Sequence, residues 1–194
     1  AAHDSIPTRL SQGQTFDVFI LARSALDEFS EKGKINSDSR VDLVASTIGA
    51  AVRAGDPIPD IKTVDALKNT LLTIGRIAYS ASASGTYLST ELFPQLGIAE
   101  EMSVKAKKIF SERVGTILMR NEADLGFQQM SEMLGVQGIQ VLGPLPDAVQ
   151  ITTTFSGSVA ATSAKPSQRP PVPVLPSHLQ PPPPWKVPTE SHTS

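Results

Sequence analysis

RVDLVASTIGAAVRAG, residues 40–55, is rich in β-branched residues and carries glycine at positions 49 and 55. Its composition favours extended backbone, yet it is far longer than the five or six residues, roughly, of an ordinary strand. QITTTFSGSVAAT, residues 150–162, repeats the pattern. Neither run fits inside one compact sheet. Both fit strands that cross between two lobes. The expected division is a continuous second lobe over 56–146 and a first lobe from 1–55 plus 147–164, hinge strands included. A tail covers 165–194.

Around these runs, strand and helix patterns alternate. TFDVFILA (15–22) reads as a strand, and SALDEFSEKGK as an amphipathic helix ended by Lys32-Gly33-Lys34. TVDALKNTLL opens a helix with Thr63 at the cap, RIAYS is a strand, and SGTYLSTELFPQLG is a helix. KAKKIF is a strand, SERVGTILMRNEA a helix capped by Ser111, DLGFQQ a strand, MSEMLG a short helix and IQVLGPLP a strand. Short connections between alternating elements imply βαβ units, a parallel sheet and an α/β fold.

Composition removes several functions. Formal charge is −2 with no Lys/Arg block, which argues against nucleic-acid binding. The absence of cysteine excludes disulfides, thiolate metal sites and Cys nucleophiles. His3, His178 and His192 lack the acidic neighbours of a metal site, so no metal is expected. There is no P-loop, GxGxxG or nucleophile elbow, and no cofactor is expected. Ten of the sixteen prolines fall in 165–194, which reads as disordered or polyproline II. PPPPW in that tail has the form of an SH3 or WW ligand.

The candidate site begins at SASASGTYLSTEL, residues 80–92. A short strand, a small-residue loop and a helix start make a nest of backbone N–H groups suited to an anion. Ser82, Ser84, Gly85 and Thr86 are the expected ligand-binding residues; the competing reading is a plain helix cap, with Ser84 or Thr86 satisfying its own helix. Gln128 and Gln129 end the strand DLGFQQ, and alternation lets one of them face a cleft. An amide both donates and accepts, which suits a carboxylate better than a bare metal oxyanion. Ser46, Thr47, Arg53 and Thr152–Thr154 lie on the crossing strands, where a hydroxyl or Arg53 could reach a ligand. Arg113 and Arg120 read as solvated. No general base is convincing, since Glu91 and Asp124 have no evident place in a cleft.

The order DVFILARSALDEFSEKGKI, DALKN, RIAYS, SGTYLSTELFPQLGI and VGTILMRNEADLGFQQMSEML resembles the molybdate-binding type of periplasmic solute-binding protein. The strand–helix at Asp17–Phe29 and the turn NEADLGF at Asn121–Phe127 carry most of the likeness, which spans about residues 6–162. The resemblance implies a type II two-lobed clamshell with two crossing hinge strands and an incomplete first lobe. It implies a periplasmic monomer that binds a small oxyanion or carboxylate for the membrane component of an ABC transporter. It places Gln128 and Gln129 facing the cleft, where molybdate binders tend to carry a Tyr; this strand end has none. The related aconitate isomerases imply an alternative, an isomerase acting on a small tricarboxylate. Against the family pattern, the chain starts after the first strand and both ligand loops of the first lobe, and the proline-rich tail replaces a C-terminal helix. A frameshift near Ser163 is the expected origin of that tail.

Overall fold

The computed structural model describes residues 6–163. The readings of the 165–194 tail, of PPPPW, of the frameshift and of the three histidines lie outside the described residues. The chain is mixed α/β, as the alternating pattern predicts. Its strands are β1 (Val18–Ala22), β2 (Val41–Arg53), β3 (Ile77–Ser80), β4 (Ala106–Ile109), β5 (Leu125–Gln129), β6 (Ile139–Pro144) and β7 (Thr152–Val159). The first three helices are α1 (Ile6–Ser11), α2 (Arg23–Glu31) and α3 (Val64–Thr73), of which α2 and α3 are the longest described. The others are α4 (Ala83–Tyr87), α5 (Phe93–Gln95), α6 (Ala99–Lys105), α7 (Val114–Met119) and α8 (Met130–Met133).

The strand order is β1-β7-β2-β5-β3-β4, with β6 on β2 as well. The 13 residues of β2 serve two neighbourhoods. From Val41 to Thr47 it pairs antiparallel with β7, which pairs antiparallel with β1. From Ile48 onward it runs antiparallel between β5 and β6, while β3 lies parallel to both β5 and β4. The length of the opening stretch is explained by this double use.

The return passage is shorter than the run 150–162 suggests, because β7 pairs only from Thr152 onward. Before it, a side chain stands in for the backbone. The Ile48 N–H donates to Gln150 Oε1 at 2.9 Å, and Gln150 Nε2 donates to the Ile48 carbonyl at 2.8 Å. That amide replaces a peptide group, so pairing continues through the crossing without a regular partner strand.

Packing follows from which residues are small. Around β1 and α2, Phe19, Leu26, Phe29, Ile35 and Ala160 form one cluster, with the Phe19 and Phe29 rings edge-on at 5.4 Å. The alternate residues of β1 face outward, and Ile20 is 61% exposed. On one face of the β3–β5 region, Leu67, Leu71, Tyr87, Leu88, Leu92 and Phe93 cover Ile48, Tyr79 and Phe127. On the other, Ala51 and Ala78 lie beneath Val114, Ile117 and Leu118 of α7. Gly126 permits that approach, since a Cβ there would lie 2.5 Å from Val114 Cγ1.

Two local signals hold as read. Thr63 Oγ1 accepts from the Ala66 N–H at 3.1 Å, capping α3. Gly33 takes φ 62° just past α2, as a helix C-terminus requires. Two do not. Helix α7 starts at Val114 rather than after Ser111, because its first N–H is bonded from another strand. Helix α6 was not anticipated; it buries only Met102 and so leaves little periodic trace.

Candidate functional site

Strands β3, β4 and β5 are parallel, so their carboxyl ends share one edge. Ligands of open α/β sheets bind in the crevice outside such ends, where no strand continues and helices begin. Three turns meet there: the serine loop after β3, the loop 110–113 after β4, and the start of α8 after β5. The Ala81 N–H donates to the Ile109 carbonyl at 2.8 Å, joining the first two turns.

In the serine loop, hydroxyls form a chain. Ser80 Oγ donates to Ser82 Oγ at 2.9 Å, and the Ser82 and Ser84 hydroxyls are 3.2 Å apart. Ser82 is the N-cap of α4 but makes no side-chain cap bond. The first N–H groups of a helix have no intrahelical acceptor, so this start is polarised and uncapped. Ser82 itself does not cap the helix with its side chain. Ser84 is fully buried and Ser82 is exposed. Thr86 turns its hydroxyl back to the Ser82 carbonyl at 3.2 Å. Gly85 has a packing role: a Cβ would lie 1.5 Å from the Ser80 carbonyl oxygen. Tyr87 anchors the helix, its hydroxyl donating to the Val149 carbonyl at 2.9 Å, and burial raises its pKa.

Gln128 and Gln129 sit at the same edge, buried to 4% and 1% exposure. Gln128 Oε1 accepts the Val114 N–H at 3.0 Å, which caps α7 from a neighbouring strand. Its nitrogen donates to Glu132 of α8. Gln129 ties the crossing together. With its oxygen accepting from Thr153 Oγ1 (2.8 Å), its nitrogen reaches the Ser46 carbonyl at 3.1 Å and the Thr47 carbonyl at 3.2 Å. Both amides are engaged with protein groups. Ser46 Oγ also accepts the Ser131 N–H at 3.3 Å.

The remaining candidates divide. Arg53 is bound by Asp56 (2.7 Å) beyond the far end of β2. Asp124 precedes β5 at the opposite, amino edge, where Arg76 binds it at 2.5 Å and holds its carboxyl below the usual range. Arg53, Asp56 and Asp124 line a hollow of about 420 Å³ with Pro57, Ile58 and Asn121, and each of its charges is already matched by a partner. Glu91 is exposed within the helical turn Leu88–Leu92, well past the start of α4. Arg120 is held by Glu112 and Glu122 at 2.7 and 2.6 Å rather than standing free in solvent. Sequence reasoning missed Glu132, a half-buried carboxylate at the carboxyl edge. Its place after DLGFQQ was the available signal. Among the described residues, no group of three or more His, Cys, Asp or Glu could hold a metal, and no helix is long and apolar enough to cross a membrane.

An aconitate isomerase from a Pseudomonas species is 45% identical over 162 residues. That alignment covers 84% of this chain and 62% of the relative, so the chain spans about three fifths of that protein's length. The periplasmic molybdate-binding protein of Azotobacter vinelandii is similar in fold, with a TM-score of 0.62 at 15% identity over 84% of this chain and 73% of its own. The substrate-binding domain of a putative molybdenum ABC transporter from Clostridium difficile gives 0.58 at 21%, over 86% and 72%. The family model described as bacterial extracellular solute-binding protein matches residues 2–169. The alternating elements, the shared strand β2 and this match agree: the chain belongs to the bacterial extracellular solute-binding protein family.

Proposed function

We propose that this chain captures a small carboxylate anion at the carboxyl edge of β3, β4 and β5. The reading has residues 56–146 as one lobe and residues 1–55 with 147–164 as the other, closing about the crossing at Ile48 and Gln150. The protein then acts as a periplasmic monomer that hands its ligand to the membrane component of a transporter. The observation that carries this reading is the Ser80–Ser82–Ser84 hydroxyl chain over the uncapped start of α4. Such dipoles stabilise negative charge without a resident cation. Ser82 and Ser84 contribute hydroxyls, Thr86 steadies the loop by donating its N–H and hydroxyl to the Ser82 carbonyl, and Gly85 lets the helix start sit against the strand end. Gln128 and Gln129 hold the surrounding turns in place.

A thermal-shift panel tests it: molybdate, sulfate, phosphate, citrate, cis-aconitate and trans-aconitate, each added to the full chain. A ligand at 100 times its Kd adds about 2.7 kcal/mol of stability. The expected outcome is a raised midpoint with the tricarboxylates. A rise with molybdate alone, or with nothing, overturns the carboxylate reading.

A second reading is favoured by Glu132 and by the 45% likeness to an aconitate isomerase. On this reading a tricarboxylate bound at the same edge is isomerised. The Glu132 carboxylate takes a proton from the substrate's CH2 carbon, the double bond shifts one position, and the proton returns to the former vinyl carbon. The bound carboxylates spread the negative charge of the intermediate, and the α4 N–H groups stabilise it. Interconversion of cis- and trans-aconitate followed by NMR is expected for the full chain, and Glu132→Gln should bind the tricarboxylate but not isomerise it. Binding without interconversion leaves the solute-binding reading alone standing.

A further inference from the structure

Arg9, Arg23, Arg40, Arg53, Arg76 and Arg120 each bond to a protein partner. Among the described arginines, Arg113 alone has a guanidinium with no hydrogen-bond or ion-pair partner, and it is exposed.

Its backbone position is fixed on both sides. Before it, the loop 110–113 leaves β4, whose last carbonyl, that of Ile109, accepts the Ala81 N–H of the serine loop. After it, the Val114 N–H is held at 3.0 Å by Gln128 at the end of β5. Residue 113 is the extended N-cap of α7, with φ −73° and ψ 142°. It therefore stands at the carboxyl edge, between the turns that form the candidate site.

The nearby carboxylates do not compete for it. Glu112 is held by two nitrogens of Arg120, at 2.7 and 2.8 Å, and Glu132 is held by Gln128. A tricarboxylate brings several negative charges, and one helix start with three hydroxyls has dipoles to match only part of them. A planar guanidinium meets a carboxylate with two parallel hydrogen bonds.

We infer that Arg113 is the specificity-determining residue of the site, binding one carboxylate of a polycarboxylate while the serine loop binds another. The inference rests on the carboxylate reading above and sharpens it, since it selects ligands with more than one carboxylate.

The test is isothermal titration of citrate and trans-aconitate into the full chain and into Arg113→Gln and Arg113→Lys. Wild type is expected to bind both tricarboxylates. Arg113→Gln should weaken binding at least about tenfold, and Arg113→Lys should recover part of the loss, since it keeps the charge. Neither variant should lower the melting midpoint, because the side chain is exposed and unpartnered. Binding by Arg113→Gln within twofold of wild type overturns the inference and leaves the carboxylate reading intact. Equal losses in both variants together with a lowered midpoint also overturn it, since Arg113 would then be structural. No binding of either probe by wild type removes both.

Discussion

At Gly85 the backbone of a helix start touches the end of the strand before it. Glycine is a poor helix residue, and alanine would gain about 1 kcal/mol on propensity alone. Contact decides the sign here, because the added Cβ would lie 1.5 Å from Ser80 O and the strand end cannot yield as a flexible side chain can. Gly85→Ala is therefore expected to destabilise the fold by about 1–3 kcal/mol in urea unfolding and to weaken anion binding with it. A neutral or stabilising result would show that the helix start can lift off the strand freely. The same residue shows what was legible. SASASGT announced a loop and a helix start from composition, and the structure has both. That this glycine has a packing role was not legible, because the clash is with a strand end that only the fold brings into contact. Gln128 and Gln129 are alike in this. Their strand could be read, but their partners Val114, Thr153 and Ser46 lie on other elements.

Among the elements, β2 was the most legible. Its excess length predicted a strand crossing between two lobes, and it pairs with β7 over its first half and with β5 and β6 over its second. The return crossing was only half visible. Gln150 bonds to Ile48, 102 residues away, and no local pattern marks a side chain that substitutes for a peptide. Gln150→Leu should leave the Ile48 N–H without its acceptor in a residue that is fully buried, at a cost of about 1–3 kcal/mol. The Ile48 carbonyl keeps the Leu145 N–H at 3.1 Å, so the loss falls on the donor. Gln150→Glu retains an acceptor and should cost less. Chemical denaturation of both variants checks the order; equal stability of Gln150→Leu and wild type would mean that water or a neighbour replaces the amide. The start of α7 makes the complementary point. Ser111 is a sound local cap signal, but Gln128 supplies the acceptor from a neighbouring strand, and the helix begins two residues later than that signal indicates.

Over the whole molecule, the account separates two edges of the parallel strands. The amino edge has a hollow of about 420 Å³, but its arginines and aspartates are already paired. The carboxyl edge has linked hydroxyls, an uncapped helix start, a half-buried glutamate and an unpaired arginine. Geometry therefore favours the edge with more unmatched polarity. Amide hydrogen exchange of the full chain, with and without saturating trans-aconitate, tests this most directly. The expected result is slowed exchange at residues 80–86, 110–114 and 128–132, with little change at residues 53–59. Protection confined to residues 53–59, or no protection anywhere, would contradict the account.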